Sequence, residues 1–387
     1  MSAYANTLTR LIPELYAALD VVSRELVGFI PSVSRNTSAE RAAVGQAVVW
    51  PVSPVANMFN VTPAMAVPEP ADANIGNGSI TITKSRGAEF GMTGEEQLGL
   101  SHGVGHLTVQ GDLFAQGLRA LVNEMETDVA IEAALNGSRA WGTAGTTPFA
   151  IGANQNLGDS AQVRKILDDN GAPLTDRSLV IDTSAGANLR TQYNLTRVNE
   201  AGSMMTLRDG ELLNLHGMSI KESAQTRLVS PGNGAAYTTN AAGYAEGATA
   251  ITIITGTGTI TKGSVVTFAG DSNKYIVAAD RVGAGVLTLA APGLQQAIPA
   301  AATNITVGAA SIRNAAFPRS AIGLAARAPA LPDGGDSAVD RFQLTDQRSG
   351  MVFEVSIYAV YRKMRAEVTC AWGTATIKKE HVALLLG

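Results

Sequence analysis

The sequence is poor in the residues that build most catalytic and metal sites. It contains one cysteine, four histidines and three tryptophans in 387 residues. The single cysteine, Cys370, excludes an internal disulfide and every cysteine-rich zinc motif, and we predict that it is a small residue of the core. The sequence also lacks a basic segment followed by an apolar run at its start, and it has no apolar run of bilayer length. We therefore expect a soluble protein that is made in a cytoplasm.

Charge is scarce as well. Charged residues make up 16% of the chain, whereas about 25% is typical of soluble domains. This scarcity favours a subunit whose surface is covered by neighbours over a free monomer. The net charge of −4 argues against sequence-independent nucleic-acid binding as the main task, because such binding depends on clustered Lys and Arg. The two densest basic clusters, at 362–365 and 378–379, are interpreted as solvated strand ends.

No arrangement of residues predicts an enzyme. His102 and His106 are four residues apart, as helical metal ligands would be, but no Glu follows His102. Gly270-Asp271-Ser272-Asn273 matches the nucleophile segment of Gly-Asp-Ser esterases, which also need a histidine paired with a carboxylate. His381 is preceded at three residues by Lys378 rather than by Asp. The sequence thus predicts no catalytic residue, no cofactor and no metal, and a Gly-Asp-Ser serine hydrolase is kept as a minor alternative.

The strongest positive signal is a long amphipathic helix between Leu107 and Gly137. Apolar residues recur through it at helical spacing, at Leu107, Phe114, Leu118, Leu121, Met125 and Val129. At about 1.5 Å per residue this helix would be roughly 45 Å long, which is more than a compact domain of ordinary size requires. We predict that it is the spine of an extended subunit, with Asp112 as a cap at its start and Gly137 as a left-handed stop. One long helix within an ordinary globular protein is the alternative.

Two segments before this helix are predicted to project. Residues 7–28 form an amphipathic arm, and its polar side carries the acidic residues Glu14, Asp20 and Glu25. Residues 51–95 are punctuated by proline and glycine, and within them the run 79–83 alternates like a strand, with residues 87–92 as its return. This pattern predicts an extended β-loop with little core of its own. Such a long loop usually has a partner to lie on.

The segment after the helix predicts a mixed α/β unit. Helices are expected near 160–169 and 184–193, with a buried strand at 178–182 between them. A second strand is predicted at 218–221, and its continuation in the unit is expected much later in the chain, at 320–325.

A change of composition interrupts this unit. Residues 237–310 contain six charged residues and several short strand-like runs separated by Gly-rich turns, which predicts a small β-barrel or sandwich inserted into the unit. Finally, residues 351–372 alternate between apolar and polar side chains and predict long antiparallel strands that close the fold.

These elements predict an α+β fold with seven consecutive segments. They are an N-terminal helical arm (1–50), an extended β-loop (51–95), a peripheral domain with the spine helix (96–141), an axial domain in two parts (142–228 and 312–349), an inserted β-barrel domain (229–311) and the closing strands of the peripheral domain (350–387).

In this order of elements the chain resembles the major capsid proteins of tailed bacteriophages, which have the Hong Kong ninety-seven-type fold. It is most similar to the coat proteins of short-tailed phages that carry an inserted β-barrel domain. The resemblance covers nearly the whole chain, and short local similarities support it at 48–52, 113–135, 217–220, 263–270 and 314–317.

The resemblance implies an icosahedral shell of hexamers and pentamers that encloses double-stranded DNA. It implies a scaffolding protein and a portal as partners, non-specific contact with the DNA at the inner face and no membrane. The expected location is the virion capsid, assembled in the cytoplasm of a host bacterium. Another phage-related shell or tube protein is the main alternative.

The resemblance also implies where subunits meet. The β-loop would lie over a neighbouring subunit, and the turn 271–274 of the insert would reach across symmetry axes. The acidic arm residues would contact the scaffold. The residues predicted at contacts between subunits are Glu14, Asp20, Glu25, Ile80, Ile82, Lys84, Arg86, Asp271 and Lys274.

Overall fold

The computed structural model describes residues 15–19, 28–52, 58, 61, 76–101, 106–150, 157–192, 214–345 and 350–387. Its α-helices of eight or more residues are α1 (Gly94–Ser101), α2 (His106–Leu135), α3 (Gly158–Asp169) and α4 (Thr183–Arg190). Helix α2 is called the spine helix below. Residues 15–19 are also helical. Within the described ranges, no helix has the combined length and apolar character that crossing a membrane requires.

The strands fall into three stretches of the chain. The first holds β1 (Ser34–Ala42), β2 (Ala47–Val52), β3 (Gly76–Thr81), β4 (Lys84–Thr93), β5 (Arg139–Trp141), β6 (Arg177–Ile181), β7 (Asn214–Leu215) and β8 (Met218–Glu222). The second holds β9 (Leu228–Val229), β10 (Ala235–Thr239), β11 (Ala250–Thr257), β12 (Thr259–Ile260), β13 (Val265–Phe268), β14 (Lys274–Ile276), β15 (Arg281–Val282), β16 (Gly285–Thr288) and β17 (Asn304–Val307). The third holds β18 (Ser311–Pro318), β19 (Ile322–Pro329), β20 (Ala338–Thr345), β21 (Val352–Val360), β22 (Lys363–Thr376) and β23 (Ala383–Leu386). This mixture of helices and separate sheets confirms the predicted α+β class.

A six-stranded sheet carries the spine helix. Its order is β1-β19-β22-β21-β20, with β4 also paired to β22. Alternate residues of β22 are buried, and they join the apolar stripe of the spine helix in one core that includes Phe114, Leu118, Met125, Met364, Ala366, Val368, Cys370 and Trp372. Phe90 of β4 meets Phe114 edge to face, with ring centroids 4.6 Å apart. The long helix and the long strands therefore stabilise each other along their length.

The larger sheet contains the α/β unit. Within it β6 runs parallel to β8 and antiparallel to β18, and β23 lies between β18 and β5. Helices α3 and α4 supply Val163, Leu167, Ala185 and Leu189 to the core beside this part of the sheet. The N-cap of α4 is Asp182, whose carboxylate accepts from the backbone N–H groups of Ser184 and Ala185.

Residues 235–307 form a ring of paired strands with its own core. Pairings run from β16 through β11, β10, β17 and β13 to β14, and a bridge between Val277 and Leu289 joins the last strand to the first. Apolar side chains fill the ring, among them Tyr237, Ile251, Val266, Phe268, Tyr275 and Leu287. The ring forms one end of the larger sheet, which continues from it through the pairing of β14 with β5.

The structure corrects three predictions about the elements before and after the spine helix. The helix begins at His106, so Asp112 lies inside it and cannot cap its start. Gly137 is not left-handed; instead an added Cβ would lie 2.6 Å from Leu384 Cγ, so close packing favours glycine there. The strand beside β6 is β18, and residues 322–329 instead join the six-stranded sheet.

The β-loop is also paired differently from the prediction. Strand β3 pairs with β2, from Ala47 opposite Thr81 to Val52 opposite Gly76. The expected return strand, β4, pairs with β22 instead. Alternation alone identified the strands but could not identify their partners, because β2 precedes the Pro-rich stretch and β22 lies far along the chain.

Candidate assembly surfaces and their anchors

Strands β2 and β3 form a two-stranded ribbon that is separate from the larger sheets. Its base is buried, since Val48, Ile80 and Ile82 share a small core with Ala325 and Ala371. Away from the base, Val49 is 55% exposed, and Gly76, Asn77 and Ser79 are exposed as well. A two-stranded ribbon on its own is marginally stable in water. The distal part of the ribbon therefore needs a surface beyond the described part of this chain.

Ile80 and Ile82 were expected at contacts between subunits, but the structure buries both of them. Their side chains are 1% and 0% exposed. Gly323 of β19 allows this packing, because a Cβ there would lie 2.7 Å from Ile80 Cδ1. These two residues attach the ribbon to its own subunit.

Lys84 and Arg86 anchor the strand after the ribbon to the spine helix. Lys84 Nζ lies 3.0 Å from Glu124 Oε1 and 2.8 Å from Asp128 Oδ1, and Arg86 Nε lies 3.3 Å from Glu124 Oε1. Burial of Lys84 opposes its charge, but the hydrogen bonds to Asp128 and Glu124 outweigh burial and raise the pKa of Lys84. Asp128 also accepts from Trp372 Nε1 at 2.9 Å. Since the side chain of Arg86 is 61% exposed, it can also reach a neighbouring molecule.

The root of the N-terminal arm is held on the same helix by a buried carboxylate. Glu126 accepts hydrogen bonds from the backbone N–H groups of Phe29 and Ile30, the latter at 2.8 Å, and from Ser223 Oγ at 2.9 Å. Burial raises the pKa of Glu126, although these three hydrogen bonds favour its charged form. A Cβ on Gly28 would overlap Glu126 Oε1. Gly28 is therefore required for the arm to approach the helix this closely.

The predicted contact residues Glu14, Asp20 and Glu25 of the arm lie outside the described residues. The part of the arm that is described packs on its own subunit. Leu15 and Leu19 are buried in the core of the spine helix, and the ring of Tyr16 lies edge-on to Phe342 with centroids 6.2 Å apart.

Asp271 and Lys274 lie at the junction between the ring of strands and the larger sheet. Asp271 accepts from Tyr275 Oη, and burial together with this bond raises the pKa of Tyr275 to about 12. Lys274 donates to the carbonyl of Gly142, and burial lowers its pKa. In the same turn, Asn273 accepts from Arg139 at 3.4 Å. Both predicted contact residues are thus engaged within the subunit.

The tip of the hairpin between β21 and β22 is exposed, and it was predicted as a solvated strand end but not as an interface. Val360 and Lys363 pair at the end of the strands, and the two residues between them form the turn. Tyr361 is 89% exposed, and Arg362 has a φ of 53°. Tyr and Arg are enriched at protein interfaces. The signal was available, because the apolar positions change from odd to even numbers between Tyr361 and Met364.

Basic residues from three separate segments interact at the arm root, and we call Arg35, Lys221 and Arg319 the basic surface. Arg319 Nε donates to the carbonyl of Val33 at 3.3 Å, and the backbone N–H of Lys378 donates to Ala321 at 3.2 Å. Burial, Arg319 and Arg35 lower the pKa of Lys221, while Glu126 opposes them. The cations therefore repel one another and favour an anionic partner.

The structure gives no support to hydrolase chemistry at the Gly-Asp-Ser segment. Ser272 is exposed, and its neighbours Asp271 and Asn273 bind Tyr275 and Arg139 rather than a histidine. Elsewhere Ser160 Oγ lies 2.9 Å from His216 Nδ1, but Ser160 is fully buried. No group of three or more His, Cys, Asp or Glu residues with metal-binding geometry occurs in the described ranges.

No family model and no curated protein matches the chain. Solved structures do match it. A chain of Mycobacterium phage Che8 is 14% identical, with 93% of this chain and 90% of that chain covered and a TM-score of 0.45. A chain from the capsid of cyanophage P-SCSP1u is 13% identical, with 92% and 86% covered and a TM-score of 0.48.

A third match is a chain from the capsid of a native GTA particle, at 11% identity, with 93% and 89% covered and a TM-score of 0.47. At TM-scores below 0.5, these likenesses assign no role to any residue of this chain. The chain is similar along nearly its whole length to capsid chains of phage and phage-like particles, and tailed-phage major capsid proteins are the family that its sequence resembles.

Proposed function

We propose that this protein is the major capsid protein of a tailed bacteriophage, which assembles with copies of itself into a closed shell. The observation that carries the proposal is the ribbon of β2 and β3, whose base is buried in its own subunit while its distal residues are exposed. In a shell, the surface of a neighbouring subunit would cover these residues. The ribbon would then gain from a second copy the burial that the described residues of one chain do not give it.

Composition supports the same proposal. Few charged residues and an exposed Tyr361 at a hairpin tip suit contacts that are mostly non-ionic. Many modest interfaces of this kind, each repeated by symmetry, stabilise a shell without any single strong contact.

The finer features of the proposal come from the resemblance. The shell would consist of hexamers and pentamers, would assemble around a scaffolding protein with a portal in the host cytoplasm, and would form the capsid of the virion. The ring of strands at 235–307 would be the inserted β-barrel domain, within the boundaries 229–311. The protein would have no enzymatic role.

The basic surface is the candidate contact for packaged double-stranded DNA. Its three cations come from three separate segments, and burial together with the charges of Arg319 and Arg35 lowers the pKa of Lys221. Phosphate groups would relieve this repulsion in a sequence-independent manner. The contact would be weak in one subunit and would gain strength from repetition over the shell.

Particle formation tests the proposed function. We expect the purified protein, alone or with its scaffolding protein, to form closed particles of megadalton mass, seen by light scattering and by electron microscopy of stained samples. Tubes in place of closed shells would favour the alternative of a tube protein. A species that stays monomeric under every assembly condition would overturn the proposal.

A further inference from the structure

One short segment of the spine helix holds both the strand that follows the ribbon and the root of the arm. Glu124 and Asp128 bind Lys84 and Arg86, which directly follow the ribbon. Glu126, between them in sequence, binds the backbone of Phe29 and Ile30 at the root of the arm. The ribbon and the arm are therefore anchored within five residues of each other.

The two anchors lie on different sides of the helix. Residues 124 and 128 are four apart and share a face, whereas residue 126 is about 200° around the axis from residue 124. Met125 and Val129, which are both fully buried, fix the rotation of the helix between the two sides. Trp372 Nε1 adds a hydrogen bond to Asp128. The segment 124–128 therefore cannot rotate or shift at one anchor without moving the carboxylate at the other.

The bonds at both anchors are sensitive to small displacements. They are short contacts to charged oxygens, and hydrogen bonds weaken steeply when their distance or angle changes. The arm root tolerates the smallest displacement of the helix. There is no space for a Cβ on Gly28 beside Glu126, and the side chains of Phe29 and Ile30 are fully buried. A shift of the helix that relaxes the ribbon anchor would thus disturb the arm anchor as well.

We propose that residues 124–128 of the spine helix couple the ribbon to the N-terminal arm. A partner that pulls or fixes the ribbon changes how firmly the arm root is held, and a partner on the arm changes the ribbon anchor in return. The coupling is a property of a single chain, so it does not depend on the proposed function.

Amide hydrogen exchange tests the coupling. Lys84→Gln with Arg86→Gln removes the ribbon side of the ion pairs and leaves every residue of the helix in place. We expect this double variant to speed exchange at the amides of Phe29 and Ile30 at least about fivefold, which is the lower end of ordinary coupling between sites. The reciprocal measurement uses Glu126→Gln, which should speed exchange at the amide of Thr83, a donor to the carbonyl of Trp372 at 3.0 Å.

Glu132→Gln is the matched control. Glu132 lies on the same helix and accepts from the backbone N–H of Thr376 at 2.9 Å, but it contacts neither the ribbon nor the arm root. We expect this variant to leave exchange at Phe29 and Ile30 unchanged. The proposal is overturned if the Lys84 and Arg86 variant changes exchange only near its own substitutions, or if Glu132→Gln has an equal effect at the arm root. All variants are compared in the same assembly state and at equal global stability, which separates coupling from general loosening of the fold.

Discussion

The single side chain of Glu126 holds the root of the arm on the spine helix. It is a carboxylate in a largely apolar chain, it is 8% exposed, and it receives three hydrogen bonds without a direct ion pair among the described contacts. The charge of Lys221 acts on Glu126 through space and favours its charged form. Burial disfavours the charge while the hydrogen bonds favour it, and burial has the larger effect.

The raised pKa of Glu126 predicts a specific pH dependence of stability. Between its ordinary value of 4.5 and its raised value, the folded chain binds more protons than the unfolded chain. The free energy of unfolding contributed by Glu126 is therefore fully present below pH 4.5 and is lost as the pH rises through the raised pKa. Glu126→Gln cannot titrate, so the difference in stability between the wild type and this variant should fall across that window. Denaturant unfolding followed by tryptophan fluorescence at a series of pH values measures it.

The direction of this trend makes the prediction specific. A difference that increased with pH would mean that the hydrogen bonds outweigh burial, and it would contradict the prediction.

At this scale the sequence predicted some residues well and others not at all. Cys370 was predicted to be a small core residue, and it is fully buried, with its pKa raised to about 12 by burial. Glu126 and Gly28 were not singled out, because their partners lie nearly a hundred residues away and leave no local pattern. Ile80 and Ile82 were assigned to an interface because they alternate in a projecting loop, and alternation does not show which surface covers the apolar side.

Among the elements, the ribbon is the one in which effects on folding stability and effects on assembly can be distinguished most clearly. Its base belongs to the subunit core, and its distal part is exposed. Substitutions at the two levels should therefore have different effects.

We expect Ile80→Ala to lower the free energy of unfolding by about 2–5 kcal/mol, because it leaves a cavity among fully buried neighbours. Val49→Lys should change stability by no more than about 0.5 kcal/mol, because Val49 is exposed, yet it should reduce particle formation strongly by placing a charge in a covered contact. Denaturant unfolding and light scattering measure the two effects. Normal particle yield from Val49→Lys would place the ribbon outside the contacts between subunits.

Elements with a long local pattern were predicted best. The spine helix was expected at 107–137 and is found at His106–Leu135, because its apolar stripe persists over many turns. The strand expected at 178–182 is found at Arg177–Ile181. Strand partners were predicted poorly, since pairing of β4 with β22 depends on contacts between segments almost three hundred residues apart.

At the scale of the whole molecule, the distribution of charge sets the expected response of the shell to salt. Charged residues make up only 16% of the chain. The segment 237–310 contains only six charged residues that could form ion pairs with a neighbouring subunit. Contacts between subunits should accordingly depend little on ionic attraction.

We therefore expect assembled particles to remain intact in about 1 M NaCl, where the screening length is only about 3 Å. Particles kept at low salt serve as the reference, and light scattering measures the particle mass in both. Dissociation at high salt would show that ionic contacts hold the subunits together.

The position of β23 has a consequence for how each subunit is made. Residues 383–386 lie between β5 and β18, in the middle of the larger sheet, so the two halves of that sheet stay unjoined until this stretch has left the ribosome. A chain that has been made only as far as β18 therefore lacks the strand that joins these two halves.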